Sequence, residues 1–458
     1  MSNALLPTLP RAMPPRVTPR DAANEPLRTY AYSYPHKSSY RRLDPPVAIA
    51  DAWAAESGTA TVYVHVPFCE MRCGFCNLFT AARPEADLVS RYLDALARQS
   101  AVVRRAAHHI EGNTLALGGG TPTLLDAKSL DRLFGVIIKP WFRSPPSDIS
   151  VEASPKTATP ERLDVLREHQ VTRISLGVQS FVPAEAASLG RPQSSGEVEA
   201  ALQAIRDRAF PQLNIDLIYG DPTQTIASWR ESLRQALSWQ PEEVYLYPLY
   251  IRPGTGLGQR EAAVAPQWHR ATLYAEGRDR LLAAGYRQAS LRCFTRVDGG
   301  GEFQGGNTIG LGCGSRSYTR GLHYSSRFAT SRRGVRAILG TWIEQSENDF
   351  ALATHGRRMS ADDRLRRETL LGLMDADGLD LESATTRFAE ELGRHAGLQA
   401  TLRRFLQQGL ATRSGGRLRL TESGLERSDE LAVLLYSEAA LSDLAAFTTR
   451  ESATGELA

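Results

Sequence analysis

From about residue 60 to residue 295 the chain alternates short apolar, β-branched runs with longer amphipathic stretches. The short runs are bounded by Gly, Pro, Asn or Asp and predict strands over 61–68, 113–117, 148–152, 173–178, 212–218, 243–249 and 286–293. Between most of them apolar positions recur at helical spacing, which predicts helices over 86–103, 127–138, 159–169, 196–209, 225–237 and 269–283. Strand and helix in repeated succession predict an α/β fold. The expected core is a parallel sheet with right-handed crossovers, a partial (β/α)6-type barrel over residues 56–320. Chemistry in such a fold belongs at the C-terminal ends of the strands.

The flanks read differently. Residues 1–55 carry Pro7, Pro10, Pro14, Pro15 and Pro19 with no sustained period, and are expected to be a loosely ordered extension. A Gly-rich stretch over 299–314 leads into an irregular Ser- and Arg-rich region, with a linker over 321–349. Residues 350–458 predict helices over 364–373, 380–392 and 398–408 and a hairpin over 410–420. This is the pattern of a mainly helical, winged-helix-like domain, which could cover the barrel mouth or bind DNA. Charge narrows that choice: 54 basic against 51 acidic residues leave +3, so nucleic acid is not the expected partner. Neither a secretory leader nor an apolar stretch of about 20 residues is present, so the expectation is a cytoplasmic protein without a membrane partner.

Three of the five cysteines crowd at Cys69, Cys73 and Cys76, directly after the first predicted strand. Three thiolates can hold three irons of a [4Fe–4S] cube and leave the fourth iron open, whereas structural zinc would want a fourth ligand at short spacing. The next strand ends in Gly118-Gly119-Gly120-Thr121-Pro122-Thr123, where backbone can approach a ligand closely. Glu152, Gln179, Arg191 and Asp216 fall at or just past later strand ends and supply acceptors and one bidentate donor.

The cysteine spacing resembles that of the radical S-adenosylmethionine (SAM) enzymes. Tyr63-Val64-His65-Val66-Pro67-Phe68-Cys69 is similar to the HemN-like branch, that of oxygen-independent coproporphyrinogen III oxidase, and the likeness runs from about residue 60 to the end. The resemblance implies a [4Fe–4S] cluster on Cys69, Cys73 and Cys76 and two SAM molecules. It assigns Tyr63, Gly119, Glu152 and Ile309 to the molecule on the cluster. Phe75, Gly120, Thr121, Gln179, Arg191, Asp216 and Tyr250 would hold the second. Tyr63, Glu152, Gln179, Arg191 and Asp216 are the residues expected closest to the chemistry.

Within the branch this chain departs from two patterns. Coproporphyrinogen oxidases carry a further cysteine where Leu78 stands and a histidine where Gln193 stands; haem chaperones show a His-Asn-x-x-Tyr-Trp segment where this chain has 301–307. The run 310–319 with His323-Tyr324-Ser325 is instead similar to HemN-like C-methyltransferases and cyclopropanases. That resemblance implies C1 transfer: one SAM is cleaved to an adenosyl radical and the other donates a methyl or methylene to an sp² carbon. The substrate would be an aromatic or unsaturated natural-product precursor. An external one-electron reductant and a separate methyltransferase would be its partners. Coproporphyrinogen III dehydrogenation and haem trafficking are the alternatives. Cys313, in the second glycine loop, is expected to be a packing residue rather than a methyl-carrying thiol.

Overall fold

The computed structural model describes residues 34–252, 254–260, 262–297, 306–388, 395–444 and 446. Most of the Pro-rich extension, residues 298–305 of the Gly-rich region and the end of the helix expected over 380–392 lie outside them.

Six parallel strands run in chain order through the centre of the sheet: Thr59–Val66, Glu111–Gly119, Asp148–Ala153, Arg173–Gln179, Gln212–Tyr219 and Glu243–Pro248. Helices Ala86–Ala106, Ala127–Trp141, Pro160–Glu168, Ser195–Asp207 and Ile226–Ser238 make the crossovers. A period of two sorts the side chains. Val62, Val64, Leu115, Leu117, Val151, Ile174, Leu176, Ile215, Leu217 and Leu246 point to the helix layer and are buried. Each contributes roughly 1.5–3 kcal/mol of apolar burial. The alternate positions, among them Tyr63, His65, Glu152, Arg173, Ser175, Asn214 and Asp216, turn a polar face toward the concave side. Capping starts several helices: Asp126 accepts from Ser129 N–H, and Ser194 forms a capping box with Glu197.

The sheet extends well past these six strands. Thr308–Leu311 pairs in parallel with Thr59–Val66, and Arg316–Tyr318, Leu322–Ser325, Leu352–Arg358 and Arg41–Ala48 follow outward in antiparallel order. Strand Arg41–Ala48 and helix Ile49–Trp53 therefore correct the expectation of a loose arm, and strand Leu322–Ser325 and helix Arg332–Ile343 correct that of an irregular linker. These strands are short, punctuated by Gly or Pro, and paired across long sequence separations, so local propensity carries little trace of them. The strand expected over 286–293 is also two pieces, Arg287–Gln288 and Cys293–Thr295, because Ala289 N–H turns back to the Cys293 carbonyl at 2.9 Å.

The C-terminal region has helices Ala361–Met374, Leu381–Arg387 and Ala396–Gln407 and a small sheet of Leu379–Asp380, Arg417–Leu420 and Ala411–Ser414. Buried charge ties it to the barrel. Arg292 Nη2 donates to Tyr250 Oη at 2.7 Å and to Asp429 at 3.3 Å, and Tyr250 donates to the other Asp429 oxygen. Arg278 pairs with Glu426 at 3.1 Å, and Tyr34 donates to Asp363 at 2.7 Å.

Candidate metal centre

The three cysteines lie on a loop pinned at both ends. Phe68–Cys69 pairs with Ala81–Ala82, and Arg83 N–H donates to the Cys69 carbonyl at 2.8 Å. Its middle is stitched to two later segments: Gly74 N–H donates to Leu189 O at 3.0 Å, and Leu257 N–H donates to Gly74 O at 2.7 Å. A Cβ on Gly74 would come within 2.8 Å of the Leu189 carbonyl, so only glycine allows that approach. The glycine run lies against the loop's base, with Gly120 N–H on Val66 O at 2.8 Å and Thr121 N–H on Phe68 O at 2.7 Å. Gly119 has φ +104°, and a side chain there would strike the His65 ring.

All three thiols are half-buried and free. Burial pushes the Cys69 thiol up to about 12, reinforced by Cys76 and Cys73 and opposed by Thr121, whose hydroxyl donates to Cys69 Sγ at 3.7 Å. Burial also raises Cys73, against Arg191, whose Nη1 is 3.8 Å from Cys73 Sγ. Gathered thiols that resist ionisation alone call for a cation to stabilise the thiolates. Among the described residues no three His, Cys, Asp or Glu side chains are gathered so as to hold one metal ion. Arg72, between Cys69 and Cys73, sharpens the fit. Its Nε and Nη2 are buried without an acceptor, next to Cys76 and Cys69, whose charges would favour its own. Three thiolates with unanswered donors beside them fit an anionic iron–sulfur cluster.

Beyond the loop the concave face carries an ordered polar set. His65 Nε2–H donates to Phe79 O at 2.9 Å, because a carbonyl can only accept; Nδ1 is then bare and accepts from Tyr63 Oη at 3.1 Å. Burial lowers the His65 ring to about 4, which keeps it in this neutral tautomer. Glu152 accepts from Gly119 N–H at 3.1 Å. Solvent reaches its side chain, yet the surrounding walls remove enough water, with Asp216 as the next cause, to raise its carboxyl to about 7. Asp216, also raised by burial, accepts from Asn214 at 2.8 Å and Ser175 at 3.2 Å. Arg173 binds Ser150 at 2.9 Å and Glu243 at 2.6 Å.

The expected site residues divide into groups. Tyr63, Gly119, Glu152, Gln179 and Asp216 lie on the polar face or at its strand ends, and Gln179 adopts φ +70° beside a bulge, a strained conformation for a non-glycine residue. Thr121 and Arg191, expected at a second SAM, adjoin the cysteine thiols themselves. Phe75 packs in an apolar patch with Leu189, Ile218, Leu249 and Leu257. Tyr250 is engaged by Arg292 and Asp429, and Ile309 is buried in the apolar core, in register with Val62, so that only its backbone is left to meet a ligand. Cys313 is fully buried in the core, and burial raises its thiol.

Sequence reasoning passed over His65, Arg72, Arg173 and a set of arginines around Tyr318 and His323. Arg316 and Arg367 stack on the Tyr318 ring at 5.8 and 5.1 Å. With Arg357 they add to burial in holding His323 well below its usual range, and Arg316 acts on Tyr63 as well. The available signal was alternation: polar residues at every second strand position mark the concave face.

The Radical SAM superfamily profile matches residues 63–236, and the HemN C-terminal domain profile matches residues 359–426. A heme chaperone HemW from Mycobacterium tuberculosis is 32% identical over 268 residues, 56% of this chain and 69% of that protein. The chain belongs to the HemN/HemW-like family of radical SAM proteins. An oxygen-independent coproporphyrinogen III oxidase from Bradyrhizobium diazoefficiens is 28% identical, covering 80% of this chain and 85% of its own. The coproporphyrinogen III oxidase HemN of Escherichia coli superposes with TM-score 0.77 at 23% identity, over 88% of this chain and 96% of that one, so the fold is HemN-like.

These findings correct the expectation of C1 transfer to a natural-product carbon: the relatives are named for haem and coproporphyrinogen, despite Leu78, Gln193 and the altered segment before the second glycine loop. These relatives show neither a methyl-donating second SAM nor a partner methyltransferase. Family membership calls for a [4Fe–4S] cluster and SAM. Among the described residues no helix is long and apolar enough to cross a membrane.

Proposed function

We propose that the protein is a radical SAM enzyme that acts on a propionate-bearing tetrapyrrole, by oxidative decarboxylation of a coproporphyrinogen-like side chain. The observation that carries the reading is a polar concave face beside the cysteine loop, where Arg316 acts on Tyr63 and shares the Tyr318 ring with Arg367. Guanidinium groups are suited to substrate carboxylates, which they bind bidentately.

Cys69, Cys73 and Cys76 would hold the cluster. When bound, cluster and SAM supply one-electron cleavage to an adenosyl radical that abstracts hydrogen. Glu152, deprotonated and fixed by Gly119 N–H, would accept from the amino group of SAM. Tyr63, held by neutral His65, would support the same molecule. Asp216, Gln179 and Arg191 form the facing wall, and one SAM suffices. The C-terminal helices, clamped through Arg292 and Asp429, keep water from the mouth. The assigned boundaries, a barrel over 56–320 and a C-terminal domain over 350–458, belong to this reading.

A second reading, a haem chaperone, draws on the names of relatives such as that of Synechocystis, 29% identical over 77% of its length. The same arginines would then meet haem propionates. Anaerobic incubation of cluster-loaded protein with SAM, reductant and coproporphyrinogen III separates the two. Decarboxylated product with 5′-deoxyadenosine is the expected outcome; no product, with stoichiometric haem binding, overturns the enzyme reading in favour of the chaperone.

A further inference from the structure

Arg72 differs from two other arginines of the site, Arg173 and Arg191, in what its donors meet. Arg173 has Glu243 and Ser150 as acceptors, and Arg191 lies on Cys73. Arg72 has none for Nε or Nη2, although both atoms are buried and the residue sits one position before Cys73. A second guanidinium, that of Arg332 at the start of helix Arg332–Ile343, acts on it from outside the loop. The cysteine loop thus has a cationic side on which the chain leaves Arg72 Nε and Nη2 without an acceptor.

We propose that Arg72 is a positioning residue for the iron–sulfur cluster, which it orients and whose reduced state it stabilises by donating hydrogen bonds to sulfur and placing a positive charge beside it. Reduction adds one electron to a group that already carries three thiolates, so a neighbouring cation favours the reduced form more than the oxidised one. Hydrogen bonds to cluster sulfurs act in the same direction. The inference rests on the cluster half of the functional reading and not on the identity of the substrate.

The test uses full-length protein reconstituted anaerobically, as wild type, Arg72→Gln and Arg72→Lys. Iron and sulfide are quantified first, then the cluster is titrated potentiometrically without SAM, followed by electron paramagnetic resonance. The expected result is wild-type iron in both variants. At a fixed potential the reduced-to-oxidised ratio of Arg72→Gln falls about tenfold, which is 59 mV for one electron. Arg72→Lys, which keeps the charge but not the fork of donors, lies between the two. A wild-type midpoint in Arg72→Gln overturns the proposal. So does loss of iron from both variants with an intact circular dichroism spectrum, because a tuning residue leaves the thiolates able to load. A wild type that takes up no iron would sink the cluster reading instead.

Discussion

Two arginines differ in what faces their charge. Arg292, fully buried between barrel and C-terminal domain, meets Tyr250 and the Asp429 carboxylate, both supplied by the chain itself. Arg72, half-buried in the cysteine loop, has buried Nε and Nη2 atoms without an acceptor and thiols beside it. A buried charge faced by a carboxylate of its own chain can hold two domains together. One that lies beside thiols suits a group that arrives after folding. The C-terminal junction carries its own counter-charge, whereas the cysteine loop is completed from outside the chain.

Substitutions at the two ends should produce separable losses. At the loop, Cys76→Ala removes one of three anchors; iron uptake should fall from about four per chain to a small residue, and 5′-deoxyadenosine formation to background. Thermal unfolding of the unloaded variant should match that of unloaded wild type, and a large shift there would mean that the loop is also structural. At the junction, Asp429→Ala leaves Arg292 without its carboxylate and should cost about 3 kcal/mol in denaturant unfolding with iron uptake unchanged. An unchanged midpoint would show that this pair adds nothing to the clamp.

Glu152→Gln falls between those extremes. It should weaken SAM binding about tenfold, close to 1.4 kcal/mol, measured by calorimetry on loaded protein. Its pH dependence carries the sign. The folded carboxyl, at about 7, keeps its proton to higher pH than the unfolded chain at its ordinary 4.5. The unloaded wild type should therefore lose stability relative to Glu152→Gln as pH rises from 4.5 through about 7. Its affinity for SAM should grow over the upper part of that range, as the carboxylate forms, while the variant's stays flat. Equal pH profiles would remove Glu152 from the amino-group role. The smallest effect is expected at Thr121→Val, which deletes the donor to Cys69 and should cost about 0.5–1.5 kcal/mol, read as faster iron loss to a chelator.

The six barrel strands and their helices were legible because each carries its own signal, apolar at every second position or at helical spacing. The cysteine loop was legible for the same reason, since Cys69, Cys73 and Cys76 sit within eight residues. Strands Thr308–Leu311, Arg316–Tyr318 and Arg41–Ala48 were not, because they draw stability from partners far away in sequence. The substrate class was misread for a different reason: the expectation rests on short stretches, the departures at Leu78, Gln193 and 301–307 and the run 310–325, whereas likeness over most of the chain points to haem and coproporphyrinogen proteins.

From its residue order alone this protein is committed to an alternating α/β barrel with three thiols at a strand end, since spacing and periodicity are local properties. Only folding decides that Thr121 and Arg191 reach those thiols, that Glu152 meets both Gly119 and Asp216, and that Arg72 finds no acceptor. Those relations depend on register between strands and on how tightly the walls exclude water, and neither quantity is written in any one segment.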